Sequence, residues 1–388
     1  MRLTGKWLKA ASLATGEEGL CYRTAIFHDS GEISWLFPNS NTAELLSAWL
    51  DIAEVCEDKE SLEMALRYAD RILSDPVRGL YRGSCEDAQG LAWYWPGDGT
   101  YTGGYSMRFP AVFHRLYKQT GDERYLVASR DIGRTFLGRL LPSGLSNMVG
   151  WCPKKGWILE GSAGCRYVYV VSTFAALFEM TGESVYRDAY EGAVQALLKI
   201  QREDGAFFQT YDLRTLEAAD PSVKVHFFAY IFNALAEAYA VFQDERLVEC
   251  ARRMTSYLAS QFYYRQQLVY CEHPGFSTDL MEANTAVQDN ANGLLWLHSV
   301  TGENVCLDMA VRLWIQAWLA QVKVEKNGWE GALVRGVRVD FDQESKEEAL
   351  KMRAEHLRYE ASRVGRCEVW FVANYILASR RLLPYLKE

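Results

Sequence analysis

Asp289 in VQDNANG and Glu44 in SNTAELL are two carboxylates that could share acid–base work on a glycosidic bond, one donating a proton and the other activating water or stabilising a cation. Arg108, Tyr169 and Tyr230 occupy equivalent places in neighbouring segments, and His226, Arg166 and Lys224 lie close by in sequence. So much positive charge near the carboxylates, in a chain of formal net charge -8, points to an anionic ligand, most simply the carboxylate of a sugar acid. Trp95 and Trp151 add flat rings of the kind that sugar clefts use, and Asp212 in QTYD is a further acid. Asp98, Asp87 and Glu282 are loop acids able to replace either member of the pair.

What makes these residues equivalent is a recurring corner. YKQTGDERYL returns as EMTGESVYRD, AVFQDERLVE and HSVTGENVCL, and a looser version reads CEDKESL. With Thr120 as zero, the matching residues are Cys56, Thr181, Phe242 and Thr301, a period of about sixty residues that is sought before any element is assigned. An apolar helix precedes each corner and an amphipathic helix follows it. The first kind is therefore buried and the second lies outside with one charged face. The acid two residues past zero meets the N-terminus of the outer helix.

Counting back gives layers. Nine positions before zero stand Ser47, Ala111, Ser172, Asn233 and Asn292, and eight before it Ala48, Val112, Thr173, Ala234 and Gly293. Such small residues suit helices crowded round an axis. Twelve positions before zero stand Glu44, Arg108, Tyr169, Tyr230 and Asp289, a polar layer one turn nearer the helix starts. Five polar groups carry too large a burial cost to be inert together, although Glu44 and Arg108, on adjacent units, also make a plausible buried ion pair. The corners are short, so that end of the molecule is expected to be tightly sewn. The Trp-, Tyr- and Gly-rich connections at the other end are long and should form the cleft.

Five such hairpins and a sixth inner-type helix, EVWFVANYILASRRLLPYL, imply an all-α (α/α)6 toroid as one domain over residues 1–388, with short β-hairpins in the open-face loops. The sixth outer helix is either the N-terminal segment or is replaced by another closure. No Lys/Arg block suggests nucleic acid, and no apolar run suggests a membrane span. The nine scattered cysteines never form CxxC and fit free thiols in a reducing cytoplasm. Cys271, Glu272, His273 and Asp279 lie together in CEHPGFSTDL, but match no zinc spacing. No metal or other cofactor is implied, and the partner expected is a small oligosaccharide.

The corners, the chain length and phrases such as QREDGAFFQTYD resemble the six-hairpin glycosidase superfamily, and within it the unsaturated glucuronyl and rhamnogalacturonyl hydrolases. The resemblance spans roughly the whole chain and implies hydrolysis of an acidic oligosaccharide, with an inner-helix Asp protonating the unsaturated uronide. At the helix start where that Asp is sought, TYTGGYSMRFP carries Gly103 and Gly104. Asp289 is therefore assigned by counting, not by the resemblance. An epimerase similar to the N-acylglucosamine 2-epimerase group is the alternative, with His226 as one proton shuttle. A polysaccharide lyase would use Tyr230 or Tyr169 as base beside Arg108 and His226, and a glycan-binding toroid would use none catalytically.

Overall fold

The computed structural model describes residues 1–14, 25–27, 33–34, 42–95, 99–146, 148–159, 162–164, 169–265, 271–273, 276–277, 282–284, 289–319, 336–338 and 366–386. Helix α1 (Arg2–Ala14) is followed by the hairpin α2 (Thr42–Cys56) and α3 (Lys59–Ser74), and then by the one-turn α4 (Gly103–Ser106). Four more hairpins follow: α5 (Phe109–Thr120) with α6 (Glu123–Leu137), α7 (Tyr169–Thr181) with α8 (Ser184–Ile200), α9 (Phe227–Phe242) with α10 (Glu245–Arg265), and α11 (Asn290–Thr301) with α12 (Asn304–Leu319). The last helix is α13 (Val369–Leu382). Helices α2, α5, α7, α9, α11 and α13 surround the axis. Helix α13 touches both α11 and α2 and so closes the ring, which is an (α/α)6 toroid.

The corner residues explain the register. Every zero residue is the last of its inner helix. The next residue is left-handed at all five corners: Glu57 (φ 53), Gly121 (φ 68), Gly182 (φ 69), Gln243 (φ 48) and Gly302 (φ 72). At three corners a threonine hydroxyl closes the turn: Thr120 Oγ1 donates to the Leu116 carbonyl at 2.8 Å and accepts from the Asp122 N–H at 3.1 Å. Thr181 and Thr301 make the same pair of bonds. The acid then caps the outer helix, with Asp58, Asp122 and Asp244 accepting from the N–H of Glu60, Arg124 and Arg246. Ion pairs such as Arg252–Glu303 (2.6 Å) and Arg246–Glu191 (2.9 Å) link successive units at the surface, where each is worth at most about 1 kcal/mol.

Burial follows the expected division. Residues 169–177 of α7 are buried all round, whereas α3 buries one stripe, Ser61, Ala65, Tyr68, Ala69 and Ile72. Of the two closures left open by sequence, α1 supplies the sixth outer helix. Its Trp7, Leu8 and Ala11 are buried, a Cβ on Gly5 would sit 3.3 Å from Ile52 of α2, and Lys9 reaches Asp58 at 2.7 Å.

At the opposite end, short antiparallel strands zip each loop to its neighbour. Thr100–Thr102 pairs with Met148–Cys152, Ser162–Gly164 with Thr210–Asp212, and Val223–Lys224 with Cys271–His273. Glu282–Asn284 then pairs with Gly336–Arg338, and Arg366–Glu368 returns to Ala25–Phe27. This girdle holds the loops over the N-terminal ends of the inner helices.

The small residues on the axis are needed for close approach. A Cβ on Gly293 of α11 would fall 2.2 Å from Phe232 of α9. Gly293→Ala is expected to lower unfolding free energy by about 1–3 kcal/mol, measured by denaturant titration, because the helices must separate.

Candidate active site

Arg108 is the N-cap of α5 and is only 7% exposed. A buried guanidinium needs partners, and this one is surrounded by a carboxylate and three tyrosine rings, although its Nε makes no hydrogen bond among the described residues. Its Nη1 pairs with Glu44 Oε1 of α2. Its central carbon lies 4.7 Å from the ring centres of both Tyr169 and Tyr230, and 5.4 Å from that of Tyr105. The Tyr169 and Tyr230 rings meet edge-on at 5.9 Å. Four of the five residues twelve positions before zero therefore meet around one cation. Burial pushes the Tyr169 hydroxyl above the ordinary phenol range, which makes it a poorer base at neutral pH than a free tyrosine.

The arc continues past Tyr230. His226, the N-cap of α9, is 4% exposed, and its ring lies 6.2 Å from Tyr230. Lys224 is 8% exposed, with its ammonium 5.1 Å above the ring of Phe227. Asp289 is the N-cap of α11 and 6% exposed. The neighbouring Asn290 amide donates to the Val225 carbonyl at 3.4 Å, which ties the start of α11 to the strand–helix junction that carries Lys224 and His226. Glu44, Arg108, Tyr169, Tyr230, His226 and Asp289 thus stand at the N-terminal ends of five consecutive inner helices, where the dipoles favour negative charge.

Other expected residues are placed differently. Asp212 accepts from the N–H groups of Arg214 and Thr215, and this holds its carboxyl below the ordinary range. It shapes its own turn. Asp87 is 80% exposed and faces Arg139 at 3.9 Å. Trp151 lies in a hairpin with its ring 5.4 Å from Trp157, itself stacked under Arg139 at 4.0 Å. Trp157 was not singled out by the repeat count, because the hairpin lies outside the inner helices. Arg166, Asp98, the side chains of Trp95 and Glu282, and those of the Cys271–Asp279 group lie outside the described residues. Among the described residues, no three His, Cys, Asp or Glu side chains gather as metal ligands.

The tight-turn end departs from expectation. Instead of being filled, the axis there holds a cavity of about 660 Å³, with Glu44, Arg108 and Tyr169 as its floor. Small walls leave this space open: Ser47, Ala111 and Ala236 are too short to close it. Farther out lies a second polar layer that the sequence reading missed. Arg115 contacts Asp51 at 2.8 Å and Glu54 at 3.1 Å, and Arg380 clamps the same two acids from α13. Asp51, Arg115 and Glu237 stand five positions before their zeros, so the same count taken one turn further would have found them. Glu237 is exposed to the cavity that it lines, and partial desolvation there raises its carboxyl above the ordinary range.

Residues 131–357, more than half the chain, match the family model described as beta-L-arabinofuranosidase, GH127 catalytic domain. The chain belongs to this family. No curated protein matches the sequence. Among solved structures, an unsaturated glucuronyl hydrolase specific for heparin superposes with TM-score 0.70 at 13% identity, covering 100% of this chain and 96% of the other. The unsaturated glucuronyl hydrolase of Bacillus sp. GL1 gives 0.68 at 14% identity, with 98% and 96% covered. The cellobiose 2-epimerase of Spirochaeta thermophila DSM 6192 gives 0.72 at 14%, with 99% and 96% covered. At such identities these structures bear on the fold alone. The likeness to the six-hairpin glycosidases is supported, and this GH127-family chain is a carbohydrate-active enzyme. No helix among the described residues is long and apolar enough to cross a membrane.

Two outcomes test the electrostatics. Arg108→Met strands the Glu44 carboxylate and should cost about 3–5 kcal/mol of stability, whereas Glu44→Gln combined with Arg108→Met should recover most of it in a double-mutant cycle. Glu237 has a raised folded-state pKa, so its contribution is full at low pH and is lost as pH rises through that value. Glu237→Gln should therefore melt above the parent at neutral pH, and the difference should vanish below the ordinary carboxylate range.

Proposed function

We propose that this enzyme hydrolyses a glycosidic bond in a small oligosaccharide at the loop-covered end of the toroid, with Asp289 as the proton donor and Glu44 as the second carboxylate. The reading rests on one observation: side chains from Glu44 through Arg108, Tyr169 and Tyr230 to His226 meet in an arc along successive inner-helix starts, and Asp289 caps the next of these helices. Arg108 holds Glu44 as its counter-ion, so one carboxylate has a fixed cation while the other has none from that source. Unequal surroundings of this kind divide an acid from a base. Tyr230, His226 and Lys224 line the arc between them and are assigned to the sugar.

The substrate class in this reading is a uronate-containing oligosaccharide. Lys224 and His226 immediately precede α9, where the helix dipole adds to the lysine charge and favours a carboxylate. Arg108 supports the class less than its charge suggests, because Glu44 already neutralises it. A β-L-arabinofuranoside, named in the family description, is the neutral comparator. Epimerisation through paired histidines finds only His226 on the arc among the described residues. His114 faces Glu179 at 3.3 Å, and His298 bonds the Glu303 carbonyl at 3.0 Å, both toward the corners.

The deciding experiment assays an unsaturated uronide disaccharide and an aryl β-L-arabinofuranoside, with products followed by proton NMR. New reducing ends are expected, most rapidly from the uronide. Asp289→Asn should lower kcat by at least about 100-fold with little change in KM. Turnover that survives the substitution removes Asp289 from the chemistry, and an isomerised sugar replaces hydrolysis with epimerisation.

A further inference from the structure

The cavity at the tight-turn end has Glu44, Arg108 and Tyr169 of the arc as its floor, but Asp289 and His226 do not line it, and its corner side has no part in the proposed hydrolysis. Most of its charges are matched inside the protein. Arg108 answers Glu44, Arg115 and Arg380 answer Asp51 and Glu54, and Lys118 answers Glu179 at 2.8 Å. Two charged groups remain without an ionic partner within 4 Å among the described residues: Glu237 on α9 and Arg381 on α13. Glu237 has the Ser172 hydroxyl within hydrogen-bonding reach. Arg381 spends Nη1 on the Asn292 carbonyl at 2.9 Å.

Partial desolvation acts on both in the sense of an uncompensated charge. It raises the Glu237 carboxyl and lowers the Arg381 guanidinium to about 10, although Glu237 is exposed to the cavity and Arg381 is half-buried. The groups facing Glu237 are Ser172, Arg381, Arg108 and Arg115, and none of those cations approaches it as an ion pair. Water reaches both side chains through the cavity, and Ala111, Ala176 and Ala236 are small apolar residues of its wall. At about 660 Å³ the space lies within the range of small-molecule sites.

We propose that the corner side of this axial cavity, beyond the floor made by Glu44, Arg108 and Tyr169, is a second ligand site, and that it binds a small zwitterion whose carboxylate meets Arg381 and whose protonated amine meets Glu237. A ligand with both charges gives both groups a counter-ion at once, while a simple anion or cation serves one and leaves the other without a counter-ion. Lys118, Glu179 and Arg380 line it toward the corner face.

The test uses the full chain and three glycine oligomers as probes: glycine, glycylglycine and triglycine. Each is titrated calorimetrically up to about 10 mM, together with N-acetyl-glycylglycine and glycylglycine amide. At least one free oligomer should bind, and its N-acetyl and amide forms should bind at least tenfold more weakly. Glu237→Gln should weaken the zwitterion tenfold or more while leaving any residual affinity for the N-acetyl form unchanged. Arg381→Lys, which keeps a cation, should retain more affinity than Arg381→Met, and circular dichroism reports whether each variant is folded. Absence of binding by all three oligomers, or equal binding of the capped forms, overturns the proposal. Glycosidase activity of Glu237→Gln is expected to match the parent, so failure here is separable from failure of the hydrolase reading.

Discussion

The whole arrangement depends on one corner, in which an inner helix ends in a left-handed residue and the next acid caps an outer helix. Because Gly121, Gly182 and Gly302 adopt that conformation freely, while Glu57 and Gln243 are held in it, the first five inner helices all stop at the same place in the repeat. Equal stopping points give equal starting heights, within a turn, for helices of similar length. Side chains a fixed number of residues before the corner therefore arrive in layers. The polar floor around Arg108 and the small-residue wall beside it both follow from that register.

Layering also sets the electrostatics. All inner helices run in one direction, so their positive ends converge under the strand girdle and their negative ends converge at the corners. Carboxylates and phenols at the first end fit this polarity, and at the second Arg115, Arg380 and Lys118 do so while pairing with Asp51, Glu54 and Glu179. The exceptions carry the chemistry of interest. Arg108 sits at a positive helix end and is tolerated because Glu44 and three tyrosine rings surround it. Glu237 lies on the corner side of that layer, among cations that do not touch it.

Much of this was legible from residue types at fixed spacing. The fold, the inner and outer division, and the meeting of Glu44, Arg108, Tyr169 and Tyr230 all follow from a period that sequence displays directly. Ring closure by α1 was not legible, because RLTGKWLKAASLA has no corner before it and carries only the general pattern of an amphipathic helix. The axial cavity was missed for a different reason. Short corners imply a tight outer seam but say nothing of the axis, where alanine and serine walls leave space unless large side chains cross it. Trp157 escaped notice because a hairpin in a connection has no repeat to mark it. What sequence left open at the site is which carboxylate acts. The Glu44–Arg108 pair narrows that choice by giving the two acids different surroundings.

The most direct measurement is a crystal structure of the Asp289→Asn protein soaked with an oligosaccharide that the parent cleaves. A sugar whose scissile oxygen lies within hydrogen-bonding distance of residue 289, with its ring against Tyr230 and His226, is the predicted result. A sugar bound productively with residue 289 out of reach, and with the arc from Glu44 to His226 untouched, would contradict the assignment of the inner-helix starts as the catalytic centre.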